Sequence, residues 1–133
     1  MPRPPTQSFV RNCLLSALSA DDFLLIAPDL ELVVLDKDMT LTENGKPIDY
    51  AYFPDRGVGS IIAYVPHVHR VEVGIFGRDG MSSVPLLLGA RMPTQTSIMQ
   101  SRATAIASPR VHWSRRSAPV GRCTPPCCGL FRR

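Results

Sequence analysis

The rhythm of turns across residues 30–100 is what most limits the fold of this chain. Leu30, Leu32 and Val34 alternate with Glu31, Val33 and Leu35, and Asp36-Lys37-Asp38 closes that run. Met39-Thr40-Leu41-Thr42 follows and ends at Glu43-Asn44-Gly45-Lys46-Pro47, whose Asn-Gly pair is a hairpin signal. Tyr50-Ala51-Tyr52-Phe53 stops at Pro54-Asp55-Arg56-Gly57, and residues 58–65 and 68–76 are two longer runs joined near Pro66. Residues 94–100 return to the same pattern after a glycine-rich interruption. Strands of roughly 4–8 residues, about 8–12 apart with turn residues between, indicate antiparallel β-structure closing on itself. The predicted fold is therefore mainly β, an antiparallel β-roll or jelly roll.

Two short helices lead into it. Phe9, Cys13, Leu14, Ala17 and Leu18 recur at helical spacing, predicting an amphipathic helix across residues 9–18. Ser19 can cap a second helix whose first turn holds Asp21 and Asp22, with Phe23, Leu24, Ile26 and Ala27 behind them and Pro28 as the stop. Residues 1–7 are proline-rich and polar, and are expected to be disordered.

Charge divides the 133-residue chain unevenly. Residues 1–100 carry eight Lys and Arg against eleven acids, a balance of −3, whereas residues 101–133 hold seven Arg and no Lys, Asp or Glu. That last stretch shows no sustained period of 2 or 3.6, and Pro109, Pro119, Pro125 and Pro126 forbid a long helix. Such Arg/Pro/Cys/Ser/Gly-rich sequence is what GC-rich coding DNA yields when read out of frame, and the alternative is an Arg-rich disordered tail. The expected organisation is a β-roll over residues 9–100, incomplete at its C-terminus, and an aperiodic tail over residues 101–133. With no signal-peptide pattern and no apolar run near the roughly 20 residues a membrane span needs, a cytoplasmic location without membrane association is expected.

The glycine-rich interruption is Gly74-Ile75-Phe76-Gly77-Arg78-Asp79-Gly80-Met81-Ser82-Ser83-Val84-Pro85-Leu86-Leu87-Leu88. Gly77 and Gly80 permit positive φ, Ser82 or Ser83 can cap, and Pro85 suits the first turn of a helix. Backbone N–H groups there, with Arg78 nearby, form a candidate anion site; a plain turn and helix cap is the alternative.

Three separated blocks carry a family resemblance. They are Leu14-Leu15-Ser16-Ala17-Leu18-Ser19-Ala20-Asp21-Asp22-Phe23, then Gly45-Lys46-Pro47-Ile48-Asp49-Tyr50-Ala51-Tyr52-Phe53-Pro54, then Val71-Glu72-Val73-Gly74-Ile75-Phe76-Gly77-Arg78-Asp79-Gly80-Met81. Together they resemble the N-terminal sensor domain of Crp/Fnr-type bacterial transcription regulators, in the subgroup with a Tyr-Phe-Pro strand and a Gly-Arg-Asp/Glu-Gly-Met loop. The resemblance implies an eight-stranded cyclic-nucleotide-binding β-roll, followed in the family by a dimerisation helix and a DNA-binding helix-turn-helix. It implies a cyclic nucleotide or another small anionic effector as ligand, with Gly77, Arg78, Gly80, Met81, Ser82, Ser83 and Thr96 as candidate binding residues. The family's cyclic-nucleotide binders use a Gly-Glu pair for the ribose hydroxyls and Arg-Ser/Thr-Ala for the phosphate. Here no Glu follows a glycine around Gly80-Met81-Ser82-Ser83-Val84, and no Arg precedes the small residues around Thr94-Gln95-Thr96-Ser97. Cyclic AMP is therefore not expected to bind by those contacts. Neither a heptad helix nor a helix-turn-helix is legible, so sequence-specific DNA binding by this chain is not expected.

Two other classes compete. His67-Val68-His69 with Glu72 suggests a cupin-type metal-dependent enzyme, but strict alternation places Glu72 on the opposite face from both histidines, and the spacing is short. Cys123, Cys127 and Cys128 with His112 could bind zinc only by accident of an aperiodic segment, and Cys13 alone cannot hold an iron–sulfur cluster. No nucleophile has a legible partner, so no catalytic residue and no metal site are expected. The third class is a stand-alone interaction module that pairs with full-length relatives, or forms a dimer, through unfinished β-roll edges.

Overall fold

The computed structural model describes residues 5–87 and 90–109. A 3₁₀ turn, Gln7–Phe9, precedes helices α1 (Cys13–Ser16) and α2 (Ala20–Ile26) and a second 3₁₀ turn, Ala27–Asp29. Strands β1 (Glu31–Leu35), β2 (Thr40–Thr42), β3 (Tyr50–Pro54), β4 (Gly59–Val65) and β5 (His69–Phe76) follow. Helix α3 (Val84–Leu87) then separates them from β6 (Thr96–Met99) and β7 (Ala103–Pro109). Among the described residues no helix is long and apolar enough to cross a membrane.

The strands form two antiparallel sheets, ordered β1-β7-β3 and β2-β6-β4-β5. Three layers result. The helical side of the three-stranded sheet presents Ala51, Phe53 and Ile106, which pack with Val10, Leu15, Leu18, Phe23, Ile26 and Leu30. Its other side presents Leu35, Ala103 and Ala105, which meet Phe76 and Met99 of the second sheet. This alternation follows from the two-residue period of a strand. The predicted antiparallel β-roll is thus the observed fold. The Asn44-Gly45 turn also forms, with Gly45 at φ +80° where a side chain would be strained.

Four local expectations are corrected. The helix expected over residues 9–18 is confined to α1, and Phe9 is 82% exposed whereas Val10, Leu15 and Leu18 are buried. Asn12 is the reason. It is extended (ψ 127°), fully buried, and its side-chain oxygen accepts from the N–H groups of Leu14 and Leu15, so the helix starts after it. Ser19 does cap α2 as expected, accepting from Asp22 N at 3.1 Å.

The roll also continues past the boundary expected at Gln100. Strand β7 lies at the centre of its sheet, paired with β1 and β3. Ala103, Ala105 and Ala107 alternate there with Thr104, Ile106 and Ser108, and because both faces of this central strand are buried, no apolar/polar alternation marks it. The remainder of the tail expected over residues 101–133, from residue 110 onward with His112 and three cysteines, lies outside the described residues.

The histidines do not share a strand face as expected. His67 and His69 both have positive φ, +70° and +71°, at the exposed end of the β4–β5 hairpin. The register also slips, with Glu72 opposite Ile62 and Gly74 opposite Ile61, so Val73 is an extra residue and alternation breaks there. Glu72 turns instead to Ser60 and Gln100, accepting at Oε2 from Ser60 Oγ (2.7 Å) and Gln100 Nε2 (2.8 Å). Among the described residues no group of three His, Cys, Asp or Glu side chains is placed to hold a metal ion.

Finally, positive φ among the glycines occurs at Gly45 and Gly57, not at Gly77 or Gly80. Gly77 is small for another reason: a Cβ there would lie 3.2 Å from the carbonyl oxygen of Gly57.

Candidate functional site

The loop leaving β5 is a tight turn, closed by Gly80 N donating to Gly77 O at 3.0 Å. Two bonds tie it to α1: Cys13 N donates to Arg78 O (2.8 Å), and Asn12 Nδ2 donates to Gly80 O (2.9 Å). The same amide nitrogen of Asn12 donates to Pro54 O at 2.9 Å, so one buried side chain joins helix, β3 and loop.

Beyond the turn the chain runs beside β3 like a short additional strand. Ser82 N donates to Tyr52 O and Tyr52 N donates to Ser82 Oγ, each at 3.0 Å. Ser97 Oγ of β6 then donates to Ser82 O at 2.9 Å, drawing the loop onto the second sheet. Ser83 comes next, 3% exposed, and its hydroxyl has no hydrogen-bond partner. A buried hydroxyl left unpaired costs roughly 1–3 kcal/mol, so a group that reaches it gains what the empty fold forfeits.

The candidate residues separate into three groups. Gly77, Gly80, Ser82 and Ser83 belong to one continuous loop. Arg78 extends an exposed side chain from its rim, whereas Met81 is 1% exposed and belongs to the helix-side core. Thr96 is buried on β6, but its hydroxyl accepts from Asn44 N (3.2 Å) in the β2–β3 turn. The N–H groups of Gly80 and Ser82, counted in the sequence as candidate anion donors, are used within the fold. The Ser83 hydroxyl is the buried polar group of the loop that the fold leaves without a partner.

Sequence reasoning missed Asn12, Ser97 and Tyr52. Asn12 stands where an N-cap belongs, one residue before α1, which is a readable signal. Ser97 and Tyr52 have no comparable signal, because only the folding of β3 and β6 against the loop brings them there.

A groove of about 250 Å³ opens between β2 and β3, bordered by Thr40, Thr42, Glu43, Asp49, Tyr50 and Tyr52. Lys46 on its edge pairs with Glu43 at 2.9 Å. The two tyrosine rings lie 6.3 Å apart at 43°. Burial, then the neighbouring Tyr50, Asp49 and Glu31, raises the Tyr52 hydroxyl above its ordinary value near 10. The folded state therefore holds the Tyr52 proton more tightly than the unfolded chain. The stability this contributes is complete below the unfolded value and is lost as pH rises through the folded one. Alkaline unfolding should accordingly show a component above pH 10 that Tyr52→Phe removes, read as the difference in Tm against pH.

No protein-family model matches the chain, and no curated protein matches it. Solved structures do. The regulatory subunit of a cAMP-independent protein kinase A from Trypanosoma brucei superposes with a TM-score of 0.70 at 16% identity, over 81% of this chain and 40% of that one. The sensor domain of the transcriptional regulator DNR from Pseudomonas aeruginosa gives 0.63 at 16% identity, over 77% of this chain and 69% of that one. A putative cyclic nucleotide binding protein from Ruegeria pomeroyi gives 0.69 at 13% identity, over 82% of this chain and 49% of that one. The fold is thus the cyclic-nucleotide-binding β-roll, similar to the sensor domain of DNR. The chain spans well under two thirds of the trypanosomal regulatory subunit it matches. These neighbours are regulatory and sensor proteins, and they do not favour the cupin-type enzyme.

Proposed function

We propose that this chain is the effector-sensing β-roll of a Crp/Fnr-type transcription regulator, acting in the cytoplasm and passing its signal to an output module. A small-molecule effector is taken at the loop of Gly77, Arg78, Gly80, Ser82 and Ser83, while Met81 packs in the helix-side core and the Thr96 hydroxyl is engaged with Asn44. The observation that carries this reading is the buried, unpartnered hydroxyl of Ser83. It follows a serine bonded to both sheets, so it is held rigidly, ready to donate and accept without reorganisation. Arg78 supplies positive charge at the rim for an anionic group. The missing Glu and Arg of the usual cyclic-nucleotide contacts favour a ligand recognised through hydroxyl and amide groups over ordinary cyclic AMP.

Thermal unfolding with a panel of cyclic nucleotides, nucleosides and nucleotides tests the reading. At least one compound should raise the Tm of the wild-type chain by several degrees and leave Ser83→Ala unmoved. Ser83→Ala alone should be slightly more stable than wild type, by up to about 1 kcal/mol, since it removes a desolvated group with no bond to lose. A panel without a single shift, or a shift identical in Ser83→Ala, would sink this assignment.

A further inference from the structure

The four-stranded sheet ends on an uncovered edge. Strand β5 is eight residues long and bonds to β4 on one side. Among the described residues its backbone makes no hydrogen bond to any other element. Val73 and Ile75 along it are 52% and 66% exposed. Strand β6 pairs only with Gly59, Ser60, Ile61 and Ile62 of β4, so the β4–β5 hairpin runs on beyond the sheet as a two-stranded ribbon. Tyr64, Val65 and Val68 are exposed on that ribbon. A lone two-stranded ribbon is marginal in water, and a row of free edge amides is a template for one more strand.

The edge is complementary to itself. Pairing β5 antiparallel with a second copy, about a two-fold axis through Val71, sets each Arg70 opposite the other copy's Glu72. Both side chains then lie on one face of the new pair, where opposite charges across a ladder attract. Among the described residues Arg70 makes no ion pair within its own chain. Glu72 receives Ser60 and Gln100 at Oε2 alone, which leaves Oε1 for a guanidinium. The positive φ of His69 and the bulge at Val73 limit the regular segment to residues 70–72.

The other edges lack these properties. Strand β2 has three residues, and β3 is flanked by Ser82. Strand β1 has Asp29 and Glu31 at one end and Asp36 and Asp38 at the other, so antiparallel self-pairing would gather acids. We propose that β5 is a self-association edge. A second copy of this chain adds antiparallel through residues 70–72, joining two hairpins edge to edge through two Arg70–Glu72 pairs. This holds whether or not an effector binds at Ser83.

Sedimentation equilibrium of the full chain from low to high micromolar concentration tests it. The weight-average mass should rise from 14.6 kDa towards twice that value. Arg70→Glu should keep the chain monomeric throughout, and Arg70→Glu combined with Glu72→Arg should restore the dimer. Should the double variant fail to fold, because Glu72 also holds Ser60 and Gln100, Val71→Cys decides instead. Oxidation should join two copies through residue 71, identified by mass spectrometry of the linked peptides. A wild-type chain monomeric at every concentration overturns the proposal. So does association undiminished in Arg70→Glu, or a Val71→Cys chain that joins through other residues only.

Discussion

Asn12→Ala is expected to destabilise the protein by about 3–5 kcal/mol, a loss of roughly 15 °C or more in Tm for a domain of this size. Asn12 is fully buried, and its side chain makes four bonds at once. Its oxygen accepts from two N–H groups at the start of α1, and its nitrogen donates to the carbonyls of Pro54 and Gly80. Alanine would leave those groups without this partner, each unmet group costing more than a net hydrogen bond contributes. Asn12→Asp separates the two halves of the role. It keeps the cap but turns a carboxylate towards two carbonyl oxygens, so its loss should be at least as large as that of alanine. Urea unfolding of both variants, with exposed Ser16→Ala as reference, reads the difference. A loss near 1 kcal/mol in Asn12→Ala would mean that the cap alone matters. Because Gly80 belongs to the candidate site, the same variant should weaken any effector whose binding depends on Ser83.

Gly59→Ala should destabilise by about 2–3 kcal/mol, the upper end of what overpacking a core usually costs. Gly59 lies between Phe76 and Met99 in the register of the four-stranded sheet. The Phe76 ring rests over it, and a Cβ at Gly59 would sit 2.2 Å from its Cζ. A ring tip can often swing aside, but this one is 6% exposed among Leu35, Met99, Ala103 and Ala105. Moving it displaces the packing between the sheets. Phe76→Leu shortens the side chain, so the double variant should be more stable than the two single losses predict, by at least about 1 kcal/mol of coupling. Additive losses in thermal unfolding would show that the contact is not what makes residue 59 a glycine.

These two positions show how differently the sequence exposes its own constraints. The Asn-Gly turn at Gly45, the cap at Ser19 and the strands over residues 30–76 were legible because each depends on a residue and its immediate neighbours. The helix over residues 9–18 was misdrawn because Phe9 and Cys13 matched the helical period while Asn12 broke it. Strand β7 was missed because its place between β1 and β3 buries both of its faces, so its small residues show no apolar/polar alternation. The turn over residues 77–80 was legible as a turn from its two glycines. Which of the loop's atoms are engaged was not readable, since the N–H groups of Gly80 and Ser82 bond to Gly77 and Tyr52 while the buried Ser83 hydroxyl has no partner.

The sequence by itself determined the antiparallel β class and the turns, because turn geometry and two-residue alternation are properties of neighbouring residues. Tertiary structure alone decided that Asn12 fastens α1 to the loop leaving β5, that Glu72 turns to Ser60 and Gln100, and that β5 is left as an edge. Those outcomes depend on which distant strands meet and in what register, and one bulged residue at Val73 is enough to change the faces.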